Sequence, residues 1–65
     1  MNAGDRVVLK TRFAGFEAGA RGVVISAGDD TVIVDIDQDS TGQNLDPPRR
    51  MIRCEKDKYE IDDSA

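Results

Sequence analysis

Three aspartates, Asp35, Asp37 and Asp39, stand at alternate positions in the stretch Asp35-Ile36-Asp37-Gln38-Asp39-Ser40. Carboxylates spaced this way are how a chain wraps a hard cation such as calcium, and Asp46 falls twelfth counting from Asp35. The pattern fails where such a loop is most demanding. Ser40 is sixth, where the sharp turn wants glycine; Gly42 is eighth, where an apolar anchor belongs; Asp46 is too short to stand for a bidentate glutamate. Asp35 and Asp37 therefore read as the solvent face of a strand, with Asp39 in the loop beyond it, and no metal ligand is assigned. Nucleophilic chemistry has one candidate, Cys54, and the chain has no histidine to serve as its base. Cys54 lies two residues after Ile52 in an alternating stretch, which points it inward as a core thiol. No catalytic residue, no cofactor and no small-molecule substrate is expected, and the chain is not read as an enzyme.

The bases offer a different chemistry. Arg49, Arg50 and Arg53, with Lys56 and Lys58, form a cluster able to contact phosphates. The surrounding charge works against it. The net charge is −4, and residues 28–48 carry Asp29, Asp30, Asp35, Asp37, Asp39 and Asp46 with no base. That balance argues against loose electrostatic binding to nucleic acid or an anionic membrane. Stacking aromatics are scarce as well: Phe13, Phe16 and Tyr59, and no tryptophan. The same scarcity argues against an aromatic groove for proline-rich peptides or a cage for methylated lysine. Nucleic acid is a minor partner at most, through a contact edge of Arg49, Arg50 and Arg53.

The elements that would position these residues are strands. Asp5 to Arg12 alternates, with Val7 and Leu9 facing one way. Phe13 to Gly19 has too many breakers for a helix and reads as a loop whose phenylalanines fold back over one end of the core. Arg21 to Ala27 is a second strand with Val23 and Ile25 inward, and Thr31 to Asp37 a third with Val32, Val34 and Ile36 inward. The turn between them is Gly28-Asp29-Asp30, residues that tolerate the positive φ of tight hairpins. Ser40 to Pro48 reads as loop, because prolines forbid helix and central strand alike. A fourth strand follows from about Arg50 to Cys54, then a single turn from Glu55 to Asp57 and a last strand from Lys58 to Ile61.

The expected core is Val7, Leu9, Val23, Ile25, Val32, Val34, Ile36, Ile52, Cys54, Tyr59 and Ile61. The same alternation turns Val8, Val24, Ile33 and Met51 outward on neighbouring strands, a cross-strand apolar row. Such a row either binds a protein partner or a second copy, or lies under the C-terminal tail or the two phenylalanines. Five short strands bury one face best by closing on themselves. In a chain of 65 residues this means one domain, 1–62, with a frayed tail at 63–65. Lacking an apolar run of spanning length or a leader-like start, and holding a single cysteine, the chain is expected to be cytoplasmic, with no membrane partner.

Gly4-Asp5-Arg6-Val7-Val8-Leu9, Gly19-Ala20-Arg21-Gly22-Val23-Val24 and Val32-Ile33-Val34 together resemble a KOW motif: a Gly-Asp-basic-Val opening, a glycine before the second strand, alternating apolars through the third. The ending from Ile52 through Glu55-Lys56-Asp57-Lys58 to Ile61 looks like the closing strand, 3₁₀ turn and last strand of Src-homology-3-like barrels. The resemblance implies an all-β fold, a five-stranded Src-homology-3-like (SH3-like), KOW-like small barrel. It further implies a non-catalytic protein-binding or accessory subunit acting through its barrel surface, or alternatively a module contacting RNA or the transcription or translation machinery.

Overall fold

The computed structural model describes residues 1–62, so the tail expected at 63–65 lies outside the described residues. Five strands form one antiparallel sheet: β1 (Arg6–Leu9), β2 (Arg21–Ala27), β3 (Thr31–Gln38), β4 (Asn44–Glu55) and β5 (Tyr59–Ile61). A single 3₁₀ turn, Lys56–Lys58, joins the last two, and the described residues contain no α-helix. The spatial order is β4-β3-β2-β1-β5, so the last strand returns to pair with the first, and β4 and β5 are the two edges. The all-β class is as expected; the sheet is not closed into a continuous barrel by pairing of its edges.

The core is Val7, Leu9, Ala20, Val24, Val32, Val34, Ile36, Cys54 and Tyr59, with Phe13, Phe16, Leu45 and Ile52 packed against it. On β1 and β3 the alternation gives the expected buried faces. On β2 it does not: Val24 is buried, Val23 is half-buried and Ile25 is exposed. The parity is set by Gly22, which pairs with Val7 on one side and Ile36 on the other, both core residues. Directly paired residues share a face, so Gly22 and Val24 point inward, and Val24 lies opposite Val34. No side chain fits at Gly22, because an added Cβ would collide with the Asp35 carbonyl oxygen and reach 2.9 Å from the Ile36 Cα. Ile25 is then the extra residue of a bulge, between Val24 paired with Val34 and Ser26 paired with Ile33. Ile61, also expected inside, is exposed; it pairs with Val7 on edge strand β5, whose other side has no neighbouring strand among the described residues.

The fourth strand is much longer than its sequence suggests. It takes in Pro47 and Pro48, with a cis Asp46–Pro47 bond, where a loop was expected. An edge strand needs partners on one side only, so residues without an N–H are tolerated there. The ladder also breaks at that point: Ile36 pairs with Arg49 and Gln38 with Asn44. Phe13 and Phe16 exchange hydrogen bonds of 2.9 and 2.8 Å around Ala14 and Gly15, both at positive φ. This miniature hairpin folds both rings toward the core. The β2–β3 turn closes with a Gly28 N–H to Thr31 carbonyl bond of 2.8 Å, and none of its residues takes the positive φ anticipated for it.

Candidate functional site

The sheet face opposite the core carries Arg6 and Val8 on β1, Arg21, Val23 and Ile25 on β2, and Ile33, Asp35 and Asp37 on β3. Its half nearest β1 is covered by charge. Arg6 on β1 reaches across β2 to grip Asp37 with two parallel hydrogen bonds, Nη1 to Oδ2 at 2.7 Å and Nη2 to Oδ1 at 2.9 Å. Asp37 thereby raises the affinity of that guanidinium for its proton. Arg21 Nε lies 3.2 Å from Asp62 Oδ2, within ion-pair distance but without hydrogen-bond alignment. The apolar row of Val8, Val24, Ile33 and Met51 is therefore not assembled: Val24 is in the core, and half-buried Val8 pairs across to Arg21 and Glu60.

The half nearest β4 is different. Ile25 and Met51 are 42% and 63% exposed; Ile25 is the β2 bulge residue beside Ser26, the partner of half-buried Ile33, and Met51 lies on β4 next to Asp35, two residues from Arg53, the other partner of Ile33. Ile33 pairs with Arg53, and a groove of about 290 Å³ lined by Ser26, Ala27, Gly28, Thr31, Val32, Ile33 and Arg53 runs to the hairpin end. Met51 sits in the left-handed region at φ 59, where β4 carries an extra residue between the Val34–Ile52 and Ile36–Arg49 pairs. The Asp35 carboxylate accepts the Met51 N–H at 2.9 Å and fixes that bulge.

Arg49, Arg50 and Arg53 are all exposed on β4. Arg6, Arg12 and Arg21 each have a carboxylate within ion-pair distance, whereas among the described residues these three have none. The alternate aspartates go separate ways. Asp35 holds the β4 bulge and Asp37 holds Arg6. Asp39 Oδ1 accepts from Thr41 Oγ1 at 2.6 Å, Thr41 N–H at 2.9 Å and Gln43 N–H at 3.0 Å. The Thr41 hydroxyl bond, reinforced by backbone donors, holds the Asp39 pKa below the usual carboxylate value. Among the described residues no three acidic, cysteine or histidine side chains gather to hold a metal ion.

Cys54 is buried, as its strand position indicates, and burial raises its thiol pKa. That leaves it protonated and shielded, the opposite of a reactive cysteine. Sequence reasoning missed Ile25, assigning it to the core. The signal was there: Ala20, Gly22 and Val24 alternate as a small inward face, a pattern easily overlooked because glycine has no side chain to count.

No protein-family model matches the chain, and neither a curated protein nor a solved structure matches it significantly.

Proposed function

We propose that the chain is a non-catalytic protein-binding or accessory subunit, a partly open barrel of the Src-homology-3-like, KOW-like kind that acts through the outer face of β2, β3 and β4. The return of β5 beside β1, the 3₁₀ turn before it and the bulges that coil the strands support the barrel reading.

Met51 carries the functional part. A non-glycine residue in the left-handed region costs about 1–2 kcal/mol, and asparagine or glycine would relieve it. Met51 occupies that position on the surface, where packing offers little return. An exposed methionine held in a disfavoured backbone, on the strand next to the one that carries Ile33, fits a contact residue, since methionine adapts to partner surfaces. The test is the substitution Met51→Asn. It keeps the backbone geometry and removes the apolar contact, so the thermal midpoint should hold or rise while affinity for a co-purified, identified and reconstituted partner falls at least about tenfold. Unchanged affinity in Met51→Asn, Ile25→Asp and Ile33→Asp alike defeats the proposal. A homodimer on the same face is read out as a concentration-dependent mass lost in the same variants.

A second reading, contact with RNA, draws on Arg49, Arg50 and Arg53, which have no carboxylate within ion-pair distance among the described residues. It predicts a salt-dependent RNA complex that disappears when those arginines are reversed to glutamate.

A further inference from the structure

We infer that Arg50 and Arg53 of β4 and the apolar residues Ile25, Ile33 and Met51 form one composite surface, whose ligand is an acidic segment of a partner protein bearing large apolar side chains; Arg49, paired with the core residue Ile36, lies off that face. The inference rests on the protein-binding reading and specifies the partner's chemistry.

Two observations select that ligand. The first is charge left uncompensated. In a chain of net charge −4, every other arginine has found a carboxylate, and those on β4 have none among the described residues. Guanidinium groups take carboxylates bidentately, and their planar fork is organised before binding. The second is continuity. Met51 lies between Arg50 and Arg53 in sequence, and Arg53 pairs with Ile33 and lines the same groove. Apolar side chains of the ligand would cover Ile25, Ile33 and Met51 while its carboxylates meet Arg50 and Arg53.

A nucleic acid fits less well. Its phosphates would be drawn to the arginines, but the adjoining surface offers no aromatic ring for a base. Phe13 and Phe16 pack on the core and Tyr59 is buried. Asp29, Asp30, Glu55 and Asp57, with Lys56 as the single base, line a cleft of about 480 Å³ at the same end as the groove, a net negative charge that would repel a continuing phosphate backbone. A discrete acidic segment can end before that cleft. Arginines are also a device for keeping an edge strand from pairing with other chains, and β4 is an edge. That role alone would require no apolar neighbours and no ligand.

The test uses the full chain, isotope-labelled, and a synthetic peptide of leucines flanked by glutamates, with capped ends. Two control peptides carry lysine for glutamate and serine for leucine. Amide shifts should concentrate at residues 25, 33 and 50–53. Affinity should drop about tenfold between low and physiological salt, and by a similar factor or more in the variant combining Arg50→Gln and Arg53→Gln. That neutral variant, checked by an unchanged amide spectrum elsewhere, guards against misfolding in the charge-reversed one. Equal binding of the lysine peptide, no localised shifts, or tighter binding of polyuridine RNA than of the acidic peptide overturns the inference. Partner binding that survives arginine neutralisation but is lost in Met51→Asn overturns the ligand's acidity while leaving the protein-binding function standing; survival in both overturns both.

Discussion

The Tyr59 hydroxyl is buried in the core, opposite Leu9, without a hydrogen-bond partner among the described residues. Burial, helped by the nearby Cys54, pushes its pKa up to about 12. The ring contributes apolar area, but an unsatisfied buried hydroxyl costs about 1–3 kcal/mol. Tyr59→Phe should therefore retain the packing and raise stability by up to about that amount. In a chain of this size each kcal/mol shifts the melting midpoint by about 4–8 °C. The pH dependence has a definite sign. An unfolded tyrosine ionises near the ordinary value, so from there up to about 12 the unfolded chain has given up a proton that the folded chain keeps. The stability contribution is complete below the ordinary tyrosine value and is lost as pH rises through the folded one. Alkaline denaturation followed by circular dichroism should start later in Tyr59→Phe; an unchanged alkaline limb together with a lowered midpoint would mean that the hydroxyl has a partner. Asp39 shows the opposite economy at the same scale, since its one carboxylate oxygen takes three donors and organises the 39–43 turn.

At the scale of elements, β2 depends on Gly22 more than on its valines. A methyl group there meets backbone, the Asp35 carbonyl and the Ile36 Cα, together with the Val34 Cγ1 at 2.9 Å. Backbone in the middle of a sheet has little room to yield, so Gly22→Ala should cost at least about 3 kcal/mol, at the upper end of overpacking penalties. Urea denaturation measures this directly; a loss below about 1 kcal/mol would show that β3 can move away. The same residue explains what was legible in the sequence and what was not. The β2–β3 hairpin and the buried face of β3 follow from uninterrupted alternation and a short polar turn. The face of β2 does not, because its inward residues include a glycine, and Val23 and Ile25 imitate an inward pair one position out of step. A bulge then leaves Ile25 outside. β4 outruns its sequence pattern for a related reason. Proline excludes a central strand but not an edge, and whether a strand is an edge depends on the order β4-β3-β2-β1-β5, a non-local fact. The candidate site inherits both effects: Ile33, Met51 and the three arginines were visible from strand parity and composition, whereas Val24 and Ile25 exchanged roles.

Across the whole molecule the fold redistributes charge that lies in blocks along the chain. The acidic stretch 28–48 does not stay together: Asp37 is paired with Arg6, Asp35 caps a bulge, and Asp29 and Asp30 join Glu55 and Asp57 around one cleft, with Lys56 as the single base lining it. Four carboxylates against one ammonium leave an acidic end at the β2–β3 turn, while the β4 arginines leave a basic flank. Two opposing effects decide how stability responds to salt. Screening weakens the Arg6–Asp37 and Arg21–Asp62 pairs, but these are part-exposed, and pairs of this kind contribute about 0–1 kcal/mol. Arg6 and Asp37 also retain two hydrogen bonds whatever the ionic strength. Screening relieves repulsion in the acidic cleft and in the net charge of −4 without removing any bond. Relief should win, so the melting midpoint should rise by a few degrees as sodium chloride increases from millimolar to about 1 M, where the screening length is about 3 Å. Replacing Asp29→Asn and Asp57→Asn together should raise the low-salt midpoint and flatten the salt dependence, because both act on the same repulsion. A midpoint that falls with salt, and falls equally in that double variant, would transfer the governing role to the ion pairs on the outer face.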